Sequence, residues 1–143
     1  MRFLGLDIGE ARIGVAVSDT EGRVASPVAV LDARVLAADA QPLARLVADY
    51  EVEALVVGVP LTLAGEEGPQ AQDVRRCAER LSAAVSVPVL YWDERLSTAE
   101  ARRVMREAGT SERDQRGAVD KVAAAIILQG WLDARRAGAR EDG

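Results

Sequence analysis

The chain has 143 residues, a mass of 15.2 kDa and a formal charge of −5, with no histidine and a single cysteine, Cys77. That length fits one compact domain. The composition excludes histidine triads, histidine or four-cysteine zinc sites and disulfides, so any chemistry rests on carboxylates, hydroxyls, arginines or backbone groups.

Residues 3–9 and 12–19 both alternate. Leu4, Leu6 and Ile8 share one face of the first, and Ile13, Val15 and Val17 share one face of the second. Two strands joined by the short Gly9-Glu10-Ala11 turn predict a hairpin. Residues 24–31 continue as a third strand, which Pro27 places at an edge. Leu43, Leu46 and Val47 mark an amphipathic helix, and the apolar run 54–59 reads as a buried strand. Val74, Cys77, Ala78 and Leu81 recur at helical spacing, predicting a helix over 70–85, followed by a fifth strand over 87–92. Helical crossovers make these later strands parallel. Ser97 to Glu100 have capping-box spacing and open a helix that ends at Gly109, with Arg102, Arg103 and Arg106 on one side. Residues 110–117 are polar and read as a loop. A last helix over 118–137 is apolar nearly all round from Val122 to Leu128, which implies burial against the sheet. Its stripe Asp120, Ala124, Ile127, Trp131 points inward, opposite Gln129 and Asp133. The expected class is α/β, a single domain over 1–137 with a frayed tail at 138–143.

The acidic balance argues against a generic polyanion binder, but the charge is uneven. Residues 1–74 carry 12 acids and 5 bases, whereas residues 75–143 carry 11 and 13. Of the 18 bases only Lys121 is not arginine; arginine suits bidentate phosphate contacts, although a coding bias gives the same composition. Aromatics, at 3%, are too few for a base-stacking platform. No apolar run approaches the roughly 18 residues of a membrane span, and the apolar stretch at the start is too short for a secretory signal. With a lone cysteine suited to a reducing compartment, a cytoplasmic protein without a membrane partner is expected.

Asp7 shares a strand face with Phe3, Gly5 and Gly9, and the facing strand offers Gly14, Ala16 and Ser18. Such small neighbours let a large ligand approach the sheet closely; a strand-end ion pair with Arg12 is the plainer alternative. Asp93 and Glu94 end the fifth strand, where ligands of α/β sheets collect. Adjacent strand residues point to opposite faces, so only one of them can join Asp7. Asp120 opens the last helix, where a carboxylate also complements the helix dipole. Three acids converging from these elements repel one another unless cations intervene. Two Mg²⁺ or Mn²⁺ ions about 4 Å apart would remove that cost and serve phosphodiester hydrolysis. Arg12 and Arg95 lie closest in sequence to the acids and are the first candidates to hold phosphate. The stretch from Val56 to Leu61, followed by Gly65 and Gly68, is a strand opening into a loop whose N–H groups are candidates to meet a phosphate; an ordinary turn is the plainer reading.

Four blocks, GLDIGEARIGVAVSD (5–19), VVGVPLTLAGEEG (56–68), DERLST (93–98) and VDKVAAAIILQGWLD (119–133), resemble the YqgF/RuvX family. Its members are described as Holliday junction resolvases and as pre-16S rRNA nucleases. The resemblance runs from Phe3 to Asp133 with the blocks in family order. It implies a ribonuclease H-like fold, a mixed five-stranded sheet with helices on both faces, and a divalent-metal nuclease. Asp7, Glu94 and Asp120 would be its catalytic and metal-binding acids, with Asp93 a further candidate ligand; Glu94 takes the middle role by analogy with related resolvases. Lys121 stands where the family often has a small polar residue. Arg12, Arg95, Arg102, Arg103 and Arg106 would bind nucleic acid, with 16S rRNA precursor favoured as substrate and ribosome biogenesis as the setting. The alternatives are a Holliday junction resolvase, which needs a homodimer rather than a monomer, and a non-catalytic RNA-binding module. The Asp7-Ile8-Gly9 stretch also resembles the phosphate loop of actin-like ATPases, which require a second domain that this length does not provide.

Overall fold

The computed structural model describes the backbone of residues 2–94 and 112–142, and side chains over 2–94 and 121–138. Strands β1 (Arg2–Ile8), β2 (Arg12–Ser18) and β3 (Ala25–Asp32) form the expected antiparallel meander, followed by the short helix α1 (Ala33–Ala38) and by α2 (Gln41–Asp49). Then come β4 (Val52–Val59), α3 (Pro69–Val85), β5 (Val89–Asp93) and the long helix α4 (Glu112–Asp142). The sheet order is β3-β2-β1-β4-β5, and β1–β4 and β4–β5 are parallel. Pro27 lies on the edge strand as expected, opposite Ala16 and beside a register shift.

Two differences from the pattern have simple causes. Helix α1 is less than two turns long, too short to show a period, and starts because Asp32 accepts the N–H groups of Arg34 and Val35. Helix α4 begins at Glu112, so residues 112–117 are helical rather than loop. Glu, Arg and Gln are good helix formers, and a solvated turn needs no apolar stripe to extend a helix. The helix expected after Ser97 lies outside the described residues.

The two faces of the sheet are packed differently. Leu4, Leu6, Ile13, Val15, Leu55 and Val57 meet Leu36, Leu43, Val74, Ala78 and Leu81 of α1, α2 and α3. On the other face Phe3, Ala16, Ala54 and Val56 meet Ala124, Ala125, Ile127, Leu128 and Leu132 of α4. Leu128 and Leu132 have no exposed surface, and each such burial stabilises the fold by about 1.5–3 kcal/mol. The helix comes close because β1 carries glycine: a Cβ at Gly5 would lie 2.6 Å from Leu128 Cβ and 2.8 Å from the Ala124 carbonyl oxygen. Arg135 stacks over Phe3, which also meets Trp131 edge-on at 4.8 Å. Helix α4 therefore runs antiparallel to β1, and its earlier turns lie towards the Asp7 end of the strand.

Gln129, expected on the polar side of α4, instead bridges to the β2–β3 connection. Its Oε1 accepts the Ala25 N–H at 2.9 Å, and its Nε2 donates to the Arg23 carbonyl at 2.8 Å and to Asp133. The helix lies across the sheet, so its flank meets the hairpin. Gln129→Ala strands a partly buried N–H and is expected to cost about 1–3 kcal/mol in chemical denaturation, with Gln129→Glu, which keeps the acceptor, losing less.

Candidate active site

Alternation along β1 sends Leu4, Leu6 and Ile8 towards α1–α3, and Phe3, Gly5 and Asp7 towards α4. Asp7 pairs with Gly14 of β2, and Arg12, two residues earlier, follows the same face and is exposed. On β5, Tyr91 packs with the α1–α3 core and Trp92 with the α4 core. The residue after Asp93 therefore returns to the face of Trp92, and Glu94 lies against Asp7. Asp93 follows Tyr91 to the opposite face, so Glu94 is the one of the two adjacent acids that meets Asp7.

The contact is electrostatically unfavourable for two carboxylates. Burial foremost, then the Asp7 charge, a hydrogen bond shared with Asp7 and the Asp93 charge, push the Glu94 carboxyl from 4.5 up to about 7. At neutral pH the pair thus holds a proton for part of the time. A carboxyl whose pKa is raised on folding stabilises the fold fully below its unfolded value and loses that contribution as pH rises through the folded one. The metal-free protein is expected to lose melting temperature from this group between about pH 5 and about pH 8, whereas Glu94→Gln, which mimics the protonated form, should not show that component. Scanning calorimetry of both proteins across this range checks it; parallel profiles would contradict the assignment.

A signal missed in the sequence is Gly58. It stands one step beyond the Leu6–Val57 pair, level with Trp92 of β5, and the Glu94 side chain crosses β4 over it. Asp120 belongs to α4, one turn before Ala124; its side chain lies outside the described residues, as do Arg95, Arg102, Arg103 and Arg106. Among the described residues no third acid completes a metal cluster. Lys121 is half-buried on α4.

The loop after β4 does not offer its backbone freely. The Thr62 and Gly65 N–H groups bond within the loop, and Glu66 N–H donates to Thr62 Oγ1 at 3.1 Å. Glu67 pairs with Arg75 of α3, whose guanidinium stacks 4.1 Å above the Tyr91 ring, so the loop is tied to α3 and β5. Those three N–H groups are engaged within the loop, as in an ordinary turn, and are not turned towards a ligand. No helix among the described residues is long and apolar enough to cross a membrane.

The chemistry of the donor set suits a hard divalent cation. Two carboxylates forced together, without histidine or thiolate at hand, gain most from a cation that prefers oxygen.

Comparison with known proteins identifies the family and the fold. A family model described as "RuvX: Holliday junction resolvase" matches residues 1–134. A "Putative pre-16S rRNA nuclease" of Anaeromyxobacter sp. (strain Fw109-5) is 50% identical over 137 residues, covering 96% of this chain and all of that one. A protein of the same description from Chloroflexus aggregans is 46% identical over 134 residues, 94% of each chain. Among solved structures, Thermus thermophilus RuvC in complex with a Holliday junction substrate superposes with a TM-score of 0.60 at 16% identity, covering 96% of both chains. The fowlpox virus resolvase in complex with Holliday junction DNA gives 0.53 at 12%, covering 94% of this chain and 98% of that one. The structural likenesses establish the ribonuclease H-like, resolvase-type fold, and the sequence matches, which span nearly the whole chain, place this protein in the RuvX family.

Proposed function

We propose that this protein is a divalent-metal-dependent nuclease that hydrolyses phosphodiester bonds, and that its substrate is the 5′ end of the 16S rRNA precursor. The observation that carries the reading is the Asp7–Glu94 pair, two carboxyls brought together at the carboxyl ends of β1 and β5 with Glu94 raised to about 7. A site that merely stabilised the fold would gain by avoiding such a contact. The substrate preference rests on the descriptions of relatives that are about half identical along the whole chain.

Asp7, Glu94 and Asp120 would hold Mg²⁺ or Mn²⁺, two ions in all. When bound, such ions activate water and stabilise the leaving oxygen of a phosphodiester. Asp7 is fixed by its strand pairing with Gly14, so its carboxylate is presented rather than recruited. Glu94, whose carboxyl is raised to about 7 beside Asp7, would have to be ionised to act as a ligand, so metal uptake would favour its carboxylate form. Arg12, on the same face, orients a backbone phosphate, and Arg95, Arg102, Arg103 and Arg106 would extend that contact along the strand. The cytoplasm is where such a precursor is processed.

A second reading, resolution of four-way DNA by a homodimer, is favoured by the family description and by the junction-bound structures that share the fold. Labelled 16S precursor leader and a four-way DNA junction, each incubated with the protein in Mg²⁺ and in Mn²⁺, separate the two. Cleavage of the leader supports the proposal, and cleavage confined to the junction replaces its substrate.

A further inference from the structure

The glycine at position 58 is not required by its backbone. Its φ lies outside the left-handed region, in contrast with Gly22 at 70° and Gly65 at 83°, and a glycine inside a central strand weakens it. The space is what distinguishes the position. A Cβ built on Gly58 would stand 2.6 Å from Ile127 Cδ1, 2.8 Å from Glu94 Cγ and 3.0 Å from Glu94 Oε1. These are contacts that a real Cβ does not make without displacing its neighbours. Ile127 can yield at Cδ1, the far end of its side chain. Glu94 has less freedom, because the route over β4 is the one that carries its carboxyl from β5 to β1.

We propose that Gly58 is a positioning residue of the acidic pair: the place where its Cβ would stand is the seat of the Glu94 side chain and keeps that carboxyl within reach of Asp7. The inference deepens the nuclease reading, on which its functional consequence rests. It accounts for a glycine in the middle of an otherwise branched apolar run, Leu55-Val56-Val57-Gly58-Val59, in which every other residue is buried. It also separates two roles that a single substitution would confuse, packing against α4 and seating of Glu94.

Ile127→Val removes Cδ1 and so relieves the packing clash while leaving the clash with Glu94. Gly58→Ala, Ile127→Val and the double variant are to be compared in thermal melting and in calorimetric titration of the metal-free protein with Mn²⁺. A crystal structure of the metal-free double variant completes the comparison. The double variant should melt close to Ile127→Val, bind Mn²⁺ about 10- to 100-fold more weakly, and show the Glu94 carboxyl out of hydrogen-bond reach of Asp7. A double variant with the Mn²⁺ isotherm of Ile127→Val and with Glu94 still on Asp7 overturns the proposal. If the wild-type protein itself takes up no Mn²⁺, the nuclease reading fails, and the position of Glu94 in the double variant still decides the role of Gly58. Should the double variant not fold, a melting cycle between Gly58→Ala and Glu94→Ala reads the same contact. A smaller loss from Gly58→Ala in the Glu94→Ala background supports the seat, and an equal loss in both backgrounds overturns it.

Discussion

Asp7→Asn is expected to lower phosphodiester cleavage by about a thousandfold or more, while the metal-free variant melts at or above the wild-type temperature near neutral pH. The two effects have one origin. Asp7 sits on a central strand whose pairing with Gly14 does not involve the side chain, so the amide costs the sheet nothing. It removes the negative charge that helps to push Glu94 up to about 7, and with it the repulsion that a metal-free site carries. It also removes a carboxylate that would hold the metal. Cleavage rates in Mg²⁺ and Mn²⁺, read beside a melting curve, test both halves. Wild-type cleavage by the asparagine variant would sink the active-site assignment.

Gly5→Ala is expected to destabilise the fold by about 3 kcal/mol, or roughly 10 °C in melting temperature for a domain of this size. The added methyl would meet Leu128 Cβ at 2.6 Å and the Ala124 carbonyl oxygen at 2.8 Å. Neither atom can move by a rotamer change, so the whole helix must lift from β1. This sets Gly5 apart from Gly58, where the crowded atoms belong to side chains. Denaturant unfolding monitored by tryptophan fluorescence suits the test, because Trp92 and Trp131 both pack at the α4 face. A loss under about 1 kcal/mol would mean that α4 has more play than its contacts indicate.

Much of the architecture was legible because each signal was local. Alternation gave the hairpin, Pro27 marked the edge strand, and apolar runs separated by helical periods gave the parallel half. What the pattern missed was either too short or too polar to be periodic: α1 spans six residues, and the first turns of α4 carry no apolar stripe. A helical wheel puts Gln129 on the polar side because it has one buried face, whereas a helix lying across a twisted sheet also meets the hairpin beside it. The candidate site was legible in part. Asp7 stood out by its small neighbours, and alternation required that only one of Asp93 and Glu94 could join it. Which one depends on whether Tyr91 or Trp92 faces α4, a tertiary fact that residue spacing does not contain; the sheet places Glu94 beside Asp7. The relation of Gly58 to Glu94 crosses from one strand to the next and has no sequence signal beyond an isolated glycine in an apolar strand.

Several acids in the first half of the chain hold local structure. Asp32 caps α1, and Asp39 accepts the Gln41 N–H at 3.0 Å before α2. Asp19 accepts the N–H groups of Arg23 and Val24, bonds that hold its carboxyl below the usual carboxylate range. Several of these acids therefore close turns and helix ends, and Asp7 is the one directed to Glu94.

The account is tested most directly by incubating the purified protein with end-labelled 16S precursor leader RNA, in Mg²⁺, in Mn²⁺ and in each with a chelator in excess. It predicts metal-dependent shortening of the leader towards the mature 5′ end, abolished by the chelator and by Asp7→Asn. Cleavage that persists in the chelator, or no cleavage of the leader in either Mg²⁺ or Mn²⁺, would contradict it.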